Sequence, residues 1–180
     1  MGALRLEDLP RYDYDDYKIW EGRWELIDGI AYAMAPSPID IHQDVSGNIH
    51  IELKSLLKKC KNCKASLAVD WKISNETVVC PDNSIVCNKE KTNFIETVPE
   101  VIFEVLSPST KKKDRTIKYN IFQEQGVKYY ILVEPKGSFA EVYKLINGYY
   151  KLEGEFTDEN YTFEVDDCEI NFEFKNIFED

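Results

Sequence analysis

From Asp40 to Cys60 the apolar residues Ile41, Val45, Ile49, Leu53, Leu56 and Leu57 recur at spacings of three and four. That period predicts an amphipathic helix with one buried face. The rest of the chain reads mainly as short strands. Trp24 to Asp28-Gly29 leads through a tight turn into a strand over Ile30–Met34, after which Pro36 and Pro38 break the chain. Three β-rich runs, Ser66–Ile73, Thr77–Cys80 and Asn83–Cys87, suggest a meander. After a polar loop over Lys89–Thr97, Val101–Leu106 is apolar on both faces, as a doubly covered central strand requires.

Ser107-Pro108-Ser109-Thr110 supplies helix-start chemistry for a helix over Asp114–Gln125, closed by Gly126. Lys128–Glu134 reads as a second central strand. Asn147-Gly148 then joins Phe139–Ile146 to Tyr149–Leu152 as a hairpin. Alternation in Tyr161–Val165 and Ile170–Phe174 predicts two more strands at an edge. The order of elements predicts an α/β (α+β) domain with a mixed, mostly antiparallel sheet.

One position breaks this pattern. Glu104 sits in the middle of the most hydrophobic strand, and a carboxylate there needs a cation or a proton. Pairing with Lys118 or Arg115 would satisfy it as a purely structural group. Asp82, after Pro81 and 22 residues upstream, lies one strand and one loop away, so the two carboxylates can share one edge of a sheet. Oxygen ligands in twos and threes, with room left for water and phosphate, suit Mg. Lys118 follows Asp114 by one turn on the helix after the Glu104 strand, where Asp114 and Lys118 suggest a surface ion pair.

Charge alters the choice of partner. The formal net charge is −11, yet residues 153–180 hold one Lys against 11 acids while residues 1–152 are nearly balanced. A polyanionic substrate is therefore compatible with the body of the chain. No apolar run approaches the roughly 18 residues that span a bilayer, and acids occupy the N-terminus where a signal peptide would be apolar, so a cytoplasmic protein with no membrane partner is expected. Five Cys in such a chain are expected as reduced thiols, with a zinc site on Cys60, Cys63, Cys80 and Cys87 as the minor alternative.

The ordered set Pro81-Asp82, Glu104-Val105-Leu106-Ser107-Pro108-Ser109-Thr110, Asp114-Arg115 with Lys118-Tyr119, and Gly126–Val133 resembles the Uma family of putative restriction endonucleases, within the PD-(D/E)xK nuclease superfamily. Trp24–Gly29 and Met34–Pro38 before His42 extend the likeness over roughly residues 5–150. The resemblance implies a restriction-endonuclease-like core over about 20–135, a β-rich acidic extension over 136–180 within one domain, and cleavage of DNA. It implies Mg (or Mn) held by Asp82, Glu104, the Val105 backbone carbonyl and Glu25, with Lys118 assisting the attacking water. The superfamily's usual lysine position, two after the Glu, is Leu106 here, so Lys118 stands in from the next helix. A homodimer would suit the cutting of two strands.

Other residues keep two readings each. His42 either packs or approaches the site, Asp114 is a surface partner or supports it, and Ser107 caps the helix or holds the site's geometry. Lys111, Lys112 and Lys113, with Arg115, form either a solvated loop or an edge that steers phosphates. The competing function is a catalytically inactive binding or interaction module with the same fold.

Overall fold

The computed structural model describes residues 8–34, 40–88 and 92–179. The breaks expected at Pro36 and Pro38 and the first residues of the polar loop, 89–91, lie outside them. In chain order the elements are α1 (Tyr14–Tyr17), β1 (Trp24–Ile27), β2 (Ile30–Ala33), α2 (Asp40–Leu56), β3 (Cys63–Leu67), β4 (Trp71–Lys72), β5 (Val78–Val79), β6 (Asn83–Cys87) and β7 (Val101–Val105). Then come α3 (Lys111–Lys113), a π-helical turn (Asp114–Lys118), α4 (Tyr119–Gln125), β8 (Tyr129–Glu134), β9 (Phe139–Ile146), β10 (Tyr149–Phe156), β11 (Asn160–Val165), β12 (Cys168–Glu173) and α5 (Lys175–Phe178).

Six strands form the main sheet in the order β10-β9-β8-β7-β6-β3. Only β7 and β8 run parallel, and a parallel pair needs a crossover, which α3, the π turn and α4 supply. The alternation of the two central strands separates two cores. Val101, Phe103, Val105, Ile131 and Val133 face α2 and the β11-β12 ribbon, while Ile102, Leu106, Tyr130 and Leu132 face Trp71, Phe122 and the smaller β2-β1-β5-β4 sheet. Each such large side chain contributes about 1.5–3 kcal/mol by leaving water. Both faces of β7 and β8 are thus covered, as their continuous apolar runs predict.

Two terminations follow the expected chemistry. Gly126 closes α4 at φ +83°, its N–H donating to the carbonyls of Gln123 and Phe122. Asn147 and Gly148 both take positive φ in the β9-β10 turn, as a two-residue hairpin of matching twist requires.

The meander over residues 66–87 is corrected. The chain changes sheets there: β3 pairs with β6 in the main sheet, whereas β4 pairs with β5 in the smaller one. Ala68 turns the chain between them at φ +48°, and its N–H donates to the Asp82 carbonyl at 3.0 Å. Ile41 is also off the buried stripe of α2, which is His42, Val45, Ser46, Ile49 and Leu53. β11 and β12 do not edge the main sheet; they form a separate ribbon whose fully buried Phe163 and Phe172 meet Phe103, with Phe174 buried behind Phe172.

The cysteine expectation fails as well. Cys63 bonds Cys87, Cys60 bonds Cys168, and Cys80 is the free, buried thiol. Cys63 and Cys87 are direct partners in the β3-β6 register, and the chain after α2 meets the start of β12. Register and packing made these pairs, and neither is visible in sequence spacing. The four-thiolate zinc site is excluded by the same pairing.

Two outcomes are expected. Thiol titration of unfolded protein should count one reactive thiol before reduction and five after it. Phe172→Ala should cost about 3–5 kcal/mol in urea unfolding, because the ribbon is part of the core and not an appendage.

Candidate active site

Glu104 is the second-last residue of β7 and is 2% exposed. Its Oε1 lies 2.7 Å from Lys118 Nζ, and Lys118 is equally buried. Lys118 arrives there on the π turn, whose extra residue per turn departs from ordinary helix geometry at a place where such turns often serve function. Asp114 and Lys118, expected as a surface pair, both point inward, with Asp114 1% exposed and Nζ to Oδ1 at 3.7 Å. Tyr130 donates its hydroxyl to the Asp114 carbonyl at 2.9 Å and pins the turn to β8.

Glu25 comes from the other sheet. β1 pairs with β5 through Leu26 and Val78, which carries Glu25 Oε1 to within 2.9 Å of Lys118 Nζ and lets it accept from the Cys80 N–H at 3.0 Å. Lys113 pairs with the second oxygen, Oε2. Burial alone would raise Glu25, but Lys118 and Lys113 overrule it and hold the carboxyl down to about 2. Burial likewise works against the Lys118 ammonium, yet Glu104, Glu25 and Asp114 lift it well above the ordinary lysine range. Lys118 is therefore a fixed positive charge.

Asp82 follows Pro81 at the entrance to β6, whose register with β7 runs Asn83 to Phe103. Its Oδ2 accepts from the Val105 N–H at 2.8 Å and faces His42 Nε2 at 3.3 Å. Burial lowers His42, but the bonds to Asp82 and the Val105 backbone win, so the imidazole is raised. His42 thus meets the site from α2. The residues that hold it there were not anticipated: buried Asn83 donates to the Ser46 carbonyl at 3.0 Å and to its hydroxyl at 2.8 Å, fastening α2 to β6. Asn83 directly after Pro81-Asp82, at the start of a strand that ends Ile85-Val86-Cys87, was the available signal.

The remaining expected residues take local partners. Ser107 Oγ lies 3.0 Å from both Ser109 Oγ and Thr110 Oγ1, organising the loop ahead of α3. Lys111 pairs with Glu134 at 2.8 Å, and Arg115 grips Glu141 with two bonds of 2.7 and 3.0 Å instead of reaching Glu104. Among the described residues, Lys112 is the one of the four basic candidates with no ion pair, and it is exposed.

Four carboxylates, those of Glu25, Asp82, Glu104 and Asp114, thus face Lys113, Lys118 and His42. The negative side is in excess while His42 is neutral. Burial, reinforced by Asp114, Asp82 and Glu25, pushes Glu104 well above the ordinary carboxylate range despite Lys118, and burial raises Asp114 as well. Asp114 Oδ1 is buried without a hydrogen bond. Such a cluster is stabilised by a proton or by a further cation. Among the described residues no three His, Cys, Asp or Glu side chains are gathered to ligate a metal. Mg asks for less, since one or two carboxylates with waters and phosphate oxygens suffice, and the pair Asp82 and Glu104 fits that donor set.

With that geometry in place, comparison with known proteins is decisive on ancestry. A family model described as "Uma2: Putative restriction endonuclease" matches residues 14–173. The chain belongs to the Uma2 family. It is similar to an uncharacterized protein of Synechocystis sp., 28% identical over 145 residues, which cover 75% of each chain. It also resembles the crystal structure of a putative nuclease belonging to DUF820 from Anabaena variabilis, with a TM-score of 0.72 at 18% identity, covering 91% of this chain and 96% of the other. At that identity the likeness shows a shared fold. Among the described residues of this Uma2 chain, no helix is long and apolar enough to cross a membrane.

The charge arrangement makes a pH-dependent prediction. Glu25 is depressed when folded, so its contribution is complete above its ordinary value of 4.5 and lost as pH falls towards about 2. Lys118→Met leaves Glu104 and Asp114 without their cation and Glu25 with Lys113 alone, and should cost about 3–5 kcal/mol at pH 7. At pH 5 the cost should be smaller, because Glu104 and Asp114, both raised by burial, are neutralised more readily than free carboxylates as the pH falls. Urea unfolding at both pH values checks the magnitude and the sign.

Proposed function

We propose that this Uma2 protein is a metal-dependent endonuclease that hydrolyses phosphodiester bonds in DNA. The observation that supports it is the excess of buried carboxylate around Lys118 at the end of β7, where two sheets and the crossover helix converge. Stability alone gives little reason to gather such charge, since buried ion pairs are weak evidence of stabilisation.

Asp82 and Glu104 are the residues that would hold Mg or Mn, with the Val105 carbonyl beside them and Glu25 touching it directly or through water. Bound there, the metal supplies a Lewis acid for a phosphoryl oxygen and lowers the pKa of a water. Lys118, held as an ammonium, donates hydrogen bonds to the attacking water and offsets charge in the transition state; its raised pKa makes it a poor proton acceptor. Glu25 and Asp114 fix the ammonium in place. His42 keeps Asp82 turned toward Val105, so that its carboxylate orientation is set before substrate arrives. Lys112 offers a charge for a DNA phosphate. A homodimer would place two such sites on one duplex.

One observation favours a second reading, an inactive nuclease-fold binding module: Glu25 and Glu104 already have lysine partners in the metal-free arrangement. Calorimetric titration with Mg and Mn, and nicking of supercoiled plasmid in the same buffers, separates the two. The nuclease reading expects metal binding and nicking in the wild type, with both lost in Asp82→Ala/Glu104→Ala and nicking reduced by on the order of 10²–10³ or more. Absence of metal binding, with the variant merely destabilised, would establish the binding module.

A further inference from the structure

Glu25 is fully buried, and its two oxygens are held differently. Oε1 is fixed from two sides, by the Cys80 N–H at 3.0 Å and by Lys118 Nζ at 2.9 Å. Oε2 meets Lys113 Nζ. If Lys113 left, Glu25 would keep both partners on Oε1 and present Oε2 as a free acceptor.

The two lysines differ in how firmly they are bound. Lys118 has a side chain 3% exposed and lies between Glu25, Glu104 and Asp114, so its departure would leave Glu104 and Asp114 without a cation. Lys113 ends the three-residue α3, which buries no residue, and its side chain is 16% exposed. Glu25 is its one ion-pair partner among the described residues. A lysine of this kind reaches inward on a flexible four-carbon stem and can return its ammonium to water by turning that stem. A second seat lies close by. Tyr32, the partner of Glu25 in the β1-β2 register, presents its ring 5.9 Å from Lys113 Nζ, within reach of a cation–π contact.

Glu25 and Glu104 share Lys118, so a divalent cation held by Asp82 and Glu104 acts on the same small space as both ammonium groups. Like charges repel strongly where water is scarce. Lys118 is locked, and the repulsion therefore moves Lys113. We propose that Lys113 is a displaceable counter-ion, which neutralises Glu25 until a divalent cation binds and then withdraws, freeing Oε2 for that cation or for its bound water. The inference rests on the metal-dependent reading above and adds to it the residue that competes with the metal. Of the two lysine partners of Glu25, one is then permanent and the other exchangeable.

The test uses Mn alone, on the full chain and without DNA. In calorimetric titration Lys113→Met should bind Mn roughly ten-fold more tightly than wild type, because no ammonium has to leave before the competent state forms. Lys113→Arg, which keeps the charge and grips a carboxylate with a planar fork, should bind Mn no more tightly than wild type. A lysine that merely props Glu25 predicts the opposite, since its removal would loosen the carboxylate and weaken the metal. Acylation of lysines read by mass spectrometry follows the displacement on the wild type itself, and so does not depend on any variant folding. Lys113 should be acylated several-fold faster with Mn than without it, Lys112 equally in both, and the response of Lys113 should vanish in Asp82→Ala/Glu104→Ala. Mn bound by wild type with the reactivity of Lys113 unchanged, or bound by Lys113→Met equally or more weakly, would overturn the counter-ion and leave the metal reading standing. Absence of Mn binding in wild type and Lys113→Met alike would overturn both.

Discussion

The Lys118 ammonium, 2.7 Å from Glu104, 2.9 Å from Glu25 and 3.7 Å from Asp114, ties together three elements by charge at the edge of the hydrophobic core that they share. Glu104 belongs to the main sheet, Glu25 to the smaller one, and Asp114 with Lys118 to the crossover between two parallel strands. Removing three carboxylates and an ammonium from water costs several kcal/mol per ion, and attraction among them offsets that only while the geometry holds. The packing that holds it is extensive. Ile102, Leu106, Tyr130 and Leu132 from the central strands, with Phe122 from α4, leave no room for the crossover helix to slide.

The π turn is where this constraint becomes visible in the backbone. An α-helix from Asp114 would place Lys118 one turn above Asp114 on a single face, as the sequence suggests. In the π turn both side chains lie in the interior, and Tyr130, in the second position of β8, donates its hydroxyl to the Asp114 carbonyl. The fold therefore departs from regular helix at the one point where its charges concentrate. The lysine is thereby held as an ammonium between Glu104 and Glu25. The family and fold of the chain belong with that arrangement, since the Uma2 match runs through every element that contributes to it.

Much of this was legible beforehand, and the physical reason is the same in each case. Glu104 announced itself because a carboxylate inside Val101–Leu106 has no cheap alternative, and Asp82 followed from strand spacing. Gly126 and Asn147-Gly148 were readable because positive φ restricts the choice of residue. What escaped notice depends on tertiary register. Cys63 faces Cys87 only once β3 pairs with β6, and Lys113 reaches Glu25 across 88 positions of sequence. The switch of sheets at Ala68 left no trace in the β-rich run around it. His42 was ambiguous because the helical period allows the stripe of α2 to begin at residue 41 or 42, and only the Asn83 to Ser46 bonds settle the rotation. The acidic C-terminus read as an outer extension because its charges dominate its composition, although Phe163, Phe172 and Phe174 are all fully buried.

The central claim is that the excess of buried negative charge at the end of β7 is a seat for a divalent cation. Crystals grown with Mn, measured for anomalous scattering near the manganese edge, address it directly. The account predicts one strong anomalous peak in contact with the carboxylates of both Asp82 and Glu104. A map in which manganese is absent from that pair, or lies only on the exposed acids of residues 153–180, would contradict it.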